Sequence, residues 1–237
     1  MWQNLSNAQE LAWQTLSPGL EYIKLNYLNE TYPEGSLHAF AIDLKRYDLN
    51  IALAKDLKQQ STSVKDLVHH NKALIGINGG FFTPEFNPIG LRLRDYQILH
   101  PLVATSWWNV FLIHNNQAKI LSQKGYKALE NVQVAIQAGP RLIIESTIPR
   151  LKEGEAERSA LCITDKNKVI LAATQNLRLS TTSLAELLKD RFNCQDALNL
   201  DGGQSTQLYA TLKQFNLNVR NFSAITDAVI VTPKITT

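Results

Sequence analysis

The stretch SALCIT-DKNK-VILAAT, Ser159 to Thr174, decides the fold class. Two aliphatic runs, Ser159–Thr164 and Val169–Thr174, are separated by the polar residues Asp165-Lys166-Asn167-Lys168. That pattern predicts an antiparallel hairpin. A second hairpin is predicted where Trp107–His114 and Ala118–Leu121 flank Asn115-Asn116-Gln117, a good turn sequence. Upstream, Leu20–Leu28, Leu37–Leu44 and Leu49–Ala54 read as strands, separated by the polar turns Thr31–Gly35 and Lys45–Asp48. Ala73–Asn78 and Ala197–Leu200 read as short buried strands. Gly90–Leu99, Val132–Gln137, Leu142–Glu145, Gln207–Thr211 and Ala228–Val231 complete the strand set. Within Gly90–Leu99, Leu91, Leu93 and Asp95 alternate with Arg92, Arg94 and Tyr96.

Helices are few. Ser61–His70 carries Ser63 and Asp66 at capping-box spacing, and Ser183–Phe192 carries Ser183 and Glu186 at the same spacing. A third helix is expected near Ala8–Leu16. There is no internal repeat, linker or low-complexity segment. Regular β/α alternation is missing, which argues against Rossmann-like and (β/α)-barrel folds. The expectation is one α+β domain over residues 1–237, with its core at about 20–232 and a largely antiparallel sheet system.

Composition narrows the class. Of 237 residues 44% are hydrophobic and 19% charged, enough for a sizeable core and too few charges for disorder. The net charge of +3 is weak and no long basic run exists, so a nucleic-acid partner is not expected. No apolar stretch is long enough for a transmembrane helix. The first twenty residues contain no export signal, although a signal could have been removed. The two cysteines, Cys162 and Cys194, allow one bridge or two buried thiols.

Two Gly-Gly pairs each end a buried-looking strand: Ile77-Asn78-Gly79-Gly80-Phe81-Phe82 and Leu198-Asn199-Leu200-Asp201-Gly202-Gly203-Gln204-Ser205-Thr206. Glycine pairs permit positive φ and let a ligand approach the main chain. The bland alternative is a tight turn whose Asx side chain satisfies its own backbone. Two such turns, both strand-terminal, point to a shared site. Ser205 lacks the second glycine and the strand–turn–helix context of a nucleophile elbow, so its hydroxyl is expected to bond the turn. The histidines show no zinc-ligand spacing, so a protein-only zinc site is not expected; an oxygen-ligated cation at Asp201 stays open. Of Trp107-Trp108, one is expected in the core and one stacking on a ligand such as a sugar ring. Arg158 and Arg141 could each clamp phosphate or form surface ion pairs.

Asn78-Gly79-Gly80-Phe81-Phe82, Pro88-Ile89-Gly90, Gly139-Pro140 before an apolar strand, Arg158 opening a strand, and Asn199-Leu200-Asp201-Gly202-Gly203-Gln204-Ser205-Thr206 follow one another in an order that resembles the phosphodiester glycosidase family. The resemblance runs from about Leu20 to Val231. It implies an α+β fold and cleavage of a sugar-1-phosphodiester bond on envelope or extracellular glycans, without a cofactor, in a periplasmic or secreted protein. Such a location goes with a Cys162–Cys194 bridge. Carried over, Asn78, Arg158 and Asp201 are the expected catalytic residues. Gly79, Gly80, Gly202, Gly203, Ser205 and Thr206 are expected around the substrate. The last motif has Gln204 where a further small residue or Pro is common, and that departure bears on the substrate. Glycosidic cleavage normally uses a second carboxylate; Glu85, Glu153, Glu155 and Glu157 lie nearest the motifs in sequence. The competing functions are a non-catalytic glycan-binding domain and a metal-dependent phosphodiesterase acting at phosphorus.

Overall fold

The structure, a computed structural model, describes residues 12–27, 31, 34–127 and 129–234. In chain order the strands are β1 (Gln14–Ser17), β2 (Leu20–Tyr27), β3 (Gly35–Ile42), β4 (Tyr47–Leu53), β5 (Ile75–Asn78), β6 (Arg92–Arg94), β7 (Gln97–His100), β8 (Asn109–His114) and β9 (Gln117–Ser122). They continue as β10 (Val134–Ala138), β11 (Arg141–Ile143), β12 (Ser159–Thr164), β13 (Val169–Gln175), β14 (Cys194–Asn199), β15 (Gln207–Leu212), β16 (Phe215–Arg220) and β17 (Asp227–Pro233). The helices are α1 (Val64–His70), α2 (Gln123–Lys127) and α3 (Thr181–Phe192).

Three antiparallel sheets result, ordered β1-β2-β3-β13-β12-β14-β11, β7-β6-β10-β8-β9 and β16-β15-β5-β17-β4. The fold is therefore α+β. One central core, with Phe40, Ile51, Ile77, Phe111, Leu171 and Val229 among its members, takes side chains from all three sheets. β3 shows the period-two logic of a strand covered on both faces. Phe40 and Ile42 point into the central core, while Leu37, Ala39 and Ala41 point to a second cluster under α3. Helix α1 covers the third sheet in the same way, through Val64, Leu67 and Val68.

Both predicted hairpins are present, β12 with β13 and β8 with β9. Asn115 and Asn116 take positive φ, 51° and 58°, as a two-residue hairpin turn requires. Helix α1 starts at its expected cap: the Ser63 hydroxyl accepts from the Asp66 N–H. Helix α3 starts earlier than expected, since Ser180 and not Ser183 is its cap. A serine three residues upstream offers the same chemistry, and sequence spacing alone does not choose between them.

The expected strand Gly90–Leu99 is instead a hairpin, because Asp95 and Tyr96 take φ of 50° and 65° and turn β6 back onto β7. The helix expected near Ala8–Leu16 is also corrected. Residues 8–11 lie outside the described ones, and Gln14–Ser17 pairs with β2 as a strand. β16 has no counterpart among the expected strands; it is an edge strand that turns Phe215, Leu217 and the buried Val219 inward and alternates them with exposed residues.

Cys162 on β12 and Cys194 on β14 are joined by a disulfide, with Cα atoms 5.8 Å apart. It closes a loop with a sequence separation of 32 and ties the end of α3 to the sheet. Reduction, or Cys162→Ser with Cys194→Ser, should lower stability by about 3–4 kcal/mol. Denaturant titrations with and without reductant measure this, and coincident midpoints would show that the bridge contributes nothing.

Candidate functional site

The two glycine turns meet where the first and third sheets abut. β5 ends at Asn78, which is fully buried. Its carboxamide is spent on the protein. Asn78 Oδ1 accepts from the Ser159 hydroxyl at 2.6 Å and from the Gln207 N–H at 3.0 Å. Asn78 Nδ2 donates to the Asp201 carbonyl at 2.7 Å. Asn78 thus ties β5, the start of β12, the start of β15 and the Asp201 turn together. Through these bonds it holds the two glycine turns together.

The reason for Gly79-Gly80 is a feature that the sequence reading missed. Arg92 and Asp227, both fully buried, form an ion pair with Nε–Oδ1 at 2.9 Å. A Cβ at Gly79 would lie 1.9 Å from Asp227 Oδ1, and one at Gly80 would lie 2.5 Å from an Arg92 nitrogen. The space kept open by these glycines is therefore filled by the protein's own ion pair, where a ligand had been expected. The pair is well satisfied. Asp227 Oδ1 also accepts from the Gly80 N–H, and Oδ2 from the Thr226 hydroxyl. The Arg92 guanidinium donates to the carbonyls of Phe81, Ile89 and Gln137. Nothing in the sequence flags this pair. Arg92 sits in a Leu-Arg-Leu-Arg alternation, and Asp227 lies 135 positions away.

The second turn follows β14. The Asp201 N–H donates to the Gly79 carbonyl at 3.2 Å, so the two turns are hydrogen-bonded to each other. The Asp201 carboxylate accepts from the Gly202 N–H at 2.9 Å and from the Ser205 side chain. Burial is the largest influence on Asp201 and pushes its pKa up to about 6, with nearby Asp227 adding to the rise. The bonds from Ser205 and Gly202 and the charge of Arg92 oppose it. Ser205 bonds the turn, as its context suggested.

Gly202 and Gly203 bring Glu157 in. A Cβ at Gly202 would lie 2.7 Å from the Glu157 carbonyl, and the Gly203 N–H donates to that carbonyl at 2.7 Å. Gly203 itself has φ of 58°. The Glu157 carboxylate accepts from the Asn176 N–H at 3.1 Å and from Asn221 Nδ2. Burial raises its pKa, opposed by the Asn176 bond and by the charge of Arg178. Of the four glutamates near the motifs, Glu157 is the one that the fold seats against the Asp201–Gly203 turn. Glu157 and Gly203 line a cleft of about 590 Å³, with Gln204, Thr206 and the end of β16.

The Arg158 guanidinium is engaged by backbone carbonyls. Its Nε donates to the Leu179 carbonyl at 2.8 Å and a terminal nitrogen to the Gly154 carbonyl at 2.5 Å. The guanidinium expected to clamp phosphate instead holds the Gly154 segment, and it does not line the cleft. Arg141 pairs with Asp196. Trp108 is buried and Trp107 is 54% exposed. Trp108 stacks on Phe81, with ring centroids 5.0 Å apart. Among the described residues, no three His, Cys, Asp or Glu side chains are grouped as a metal site requires. No helix there is long and apolar enough to cross a membrane.

No curated protein matches the chain in sequence. The zebrafish N-acetylglucosamine-1-phosphodiester alpha-N-acetylglucosaminidase catalytic domain, solved auto-inhibited by its pro-peptide, superposes with a TM-score of 0.71 at 17% identity. That alignment covers 93% of this chain and 86% of the zebrafish chain. A hypothetical protein from Synechocystis gives 0.66 at 15% identity, over 92% of this chain and 63% of that one. A candidate exported protein of Burkholderia pseudomallei gives 0.61 at 13% identity, over 84% and 74%. These likenesses establish a shared fold. The model of the phosphodiester glycosidase family matches residues 71–232, a span that includes both glycine turns, Glu157 and the Arg92–Asp227 pair. With that match over most of its length, the chain belongs to the phosphodiester glycosidase family.

Proposed function

We propose that this protein hydrolyses the glycosidic C–O bond of a sugar-1-phosphodiester, with Asp201 and Glu157 as its carboxyl pair. The observation that carries this is the Gly202–Gly203 turn. One turn bonds both residues, at the Asp201 carboxylate and the Glu157 carbonyl, and of the two Glu157 lines the adjoining cleft while Asp201 lies behind the turn. Two carboxyl groups with raised pKa fit general acid–base chemistry near neutral pH. Asp201, ionised above about pH 6, stabilises the oxocarbenium-like transition state. Glu157 acts in its acid form, which burial favours, and donates to the departing phosphate oxygen. The C1–O bond breaks, water supplies the hydroxyl at C1, and its remaining proton returns Glu157 to its acid form. A phosphate monoester leaves readily, so the demand on Glu157 is modest. Asn78 and Ser205 hold Asp201 in place. The disulfide supports a periplasmic or secreted setting, since such bonds persist in oxidising compartments. Envelope or extracellular glycans are then the accessible substrates.

Glu157→Gln should lower kcat by about 10- to 100-fold on a sugar-1-phosphodiester, and less on substrates with more acidic leaving groups. A loss independent of the leaving group would argue against the acid role. Hydrolysis in oxygen-18 water should place the label on the sugar. Label on phosphate would replace this mechanism with attack at phosphorus, and a chelator would then test for a metal. Glycan binding without turnover across a broad panel would leave a binding module.

A further inference from the structure

With the Arg158 guanidinium engaged by backbone carbonyls, the phosphate group of such a substrate still needs a cationic partner. The cleft supplies two. Arg178, just after β13, and Arg220, the last residue of β16, line it from segments far apart in sequence. Both are exposed, and among the described residues neither takes part in an ion pair. Arg178 spends one terminal nitrogen on the Glu155 carbonyl at 2.9 Å, which orients the guanidinium and leaves its remaining donors available. A third feature lies in the same cleft. Thr206 is almost fully buried, and its hydroxyl has no hydrogen-bond partner. A buried hydroxyl left unpaired costs free energy, so the cleft wall carries a polar group that the protein itself does not satisfy.

We propose that Arg178 and Arg220 form the phosphate subsite of this cleft and set its preference for phosphodiesters over uncharged glycosides. Two guanidinium forks in one cleft supply the planar, bidentate donors with which arginine binds phosphate oxygens. Placement fits the chemistry: Gly203 and Glu157 line the same cleft, so a phosphate held there leaves its ester oxygen near the acid. The proposal rests on the function given above for the location of catalysis, but it makes a separate claim about binding.

The test is binding of inorganic phosphate and methyl phosphate, followed by backbone amide shifts in NMR titrations. Phosphate should perturb Gly203, Gln204 and Asn221. Arg178→Gln and Arg220→Gln should each weaken phosphate binding about tenfold, the factor equivalent to about 1.4 kcal/mol, with thermal melts unchanged because both side chains are exposed. Lys166→Ala, in the turn between β12 and β13, removes one charge elsewhere and should leave the affinity within about twofold. Three results would overturn the subsite: no phosphate binding by the wild-type protein, unchanged affinity in both arginine variants, or an equal loss in Lys166→Ala. Turnover is read separately in Asp201→Asn. Full activity there with intact arginine-dependent phosphate binding removes the catalytic assignment and keeps the subsite. Lost activity there with arginine-independent binding does the reverse.

Discussion

Asp201→Asn should reduce turnover of a sugar-1-phosphodiester by at least ~10²-fold, about 2.7 kcal/mol of barrier, while the protein stays folded. The amide preserves the shape of the side chain and its acceptor for the Gly202 N–H; only the charge is removed. The wild-type rate should rise with pH through about 6, where the half-buried Asp201 carboxyl ionises, and the variant should lack that limb. Stability should move the other way. Burial lifts the folded-state pKa of Asp201 from the ordinary 3.8 to about 6. Its protonated form therefore stabilises the fold fully below about pH 4, and that contribution is lost as pH rises through about 6. Asn does not titrate. The melting temperature of Asp201→Asn relative to wild type should thus increase between about pH 4 and pH 7. A well-folded variant with near-normal turnover would remove Asp201 from the chemistry. A flat difference in melting temperature would mean that the carboxyl is not desolvated in solution.

Arg92→Ala or Asp227→Ala should destabilise the protein by about 3–5 kcal/mol, because each leaves a fully buried charge without its partner. Arg92→Ala also strips the donors that satisfy the carbonyls of Phe81, Ile89 and Gln137. Asp227→Asn is the milder variant, since it keeps an acceptor for the Gly80 N–H and the Arg92 guanidinium. Denaturant unfolding of the two alanine variants and their double mutant forms a cycle. The double mutant should lose less than the sum of the singles. Additive losses would show that the pair is not coupled, and single losses below about 1 kcal/mol would place it in the range of an exposed ion pair. Activity should fall along with stability, since Gly79 and Gly80 are packed against this pair and the Asp201 N–H bonds to the Gly79 carbonyl.

Local chemistry made much of the molecule legible in its sequence. Alternation and turn residues gave the β12–β13 and β8–β9 hairpins, and Ser63 gave the start of α1, because each depends on neighbours a few positions away. The family could be read from its motifs, since glycine pairs at strand ends mark backbone positions that tolerate no Cβ. The pairing partners of those motifs could not be read. Asp227 fills the space beside Gly79, Glu157 sits under Gly202, and Arg178 and Arg220 share a cleft only because three sheets close on one core. Arg158 shows the opposite case: a guanidinium in the expected place along the chain, turned by two backbone carbonyls away from the expected task. Local steric and hydrogen-bonding preferences were enough for the α+β class, the hairpins and the two glycine turns. Which charges are buried together, which line the cleft, and which carboxyl groups lie in surroundings dry enough to raise their pKa follow from the packing of the three sheets, because desolvation and ion pairing depend on residues distant along the chain.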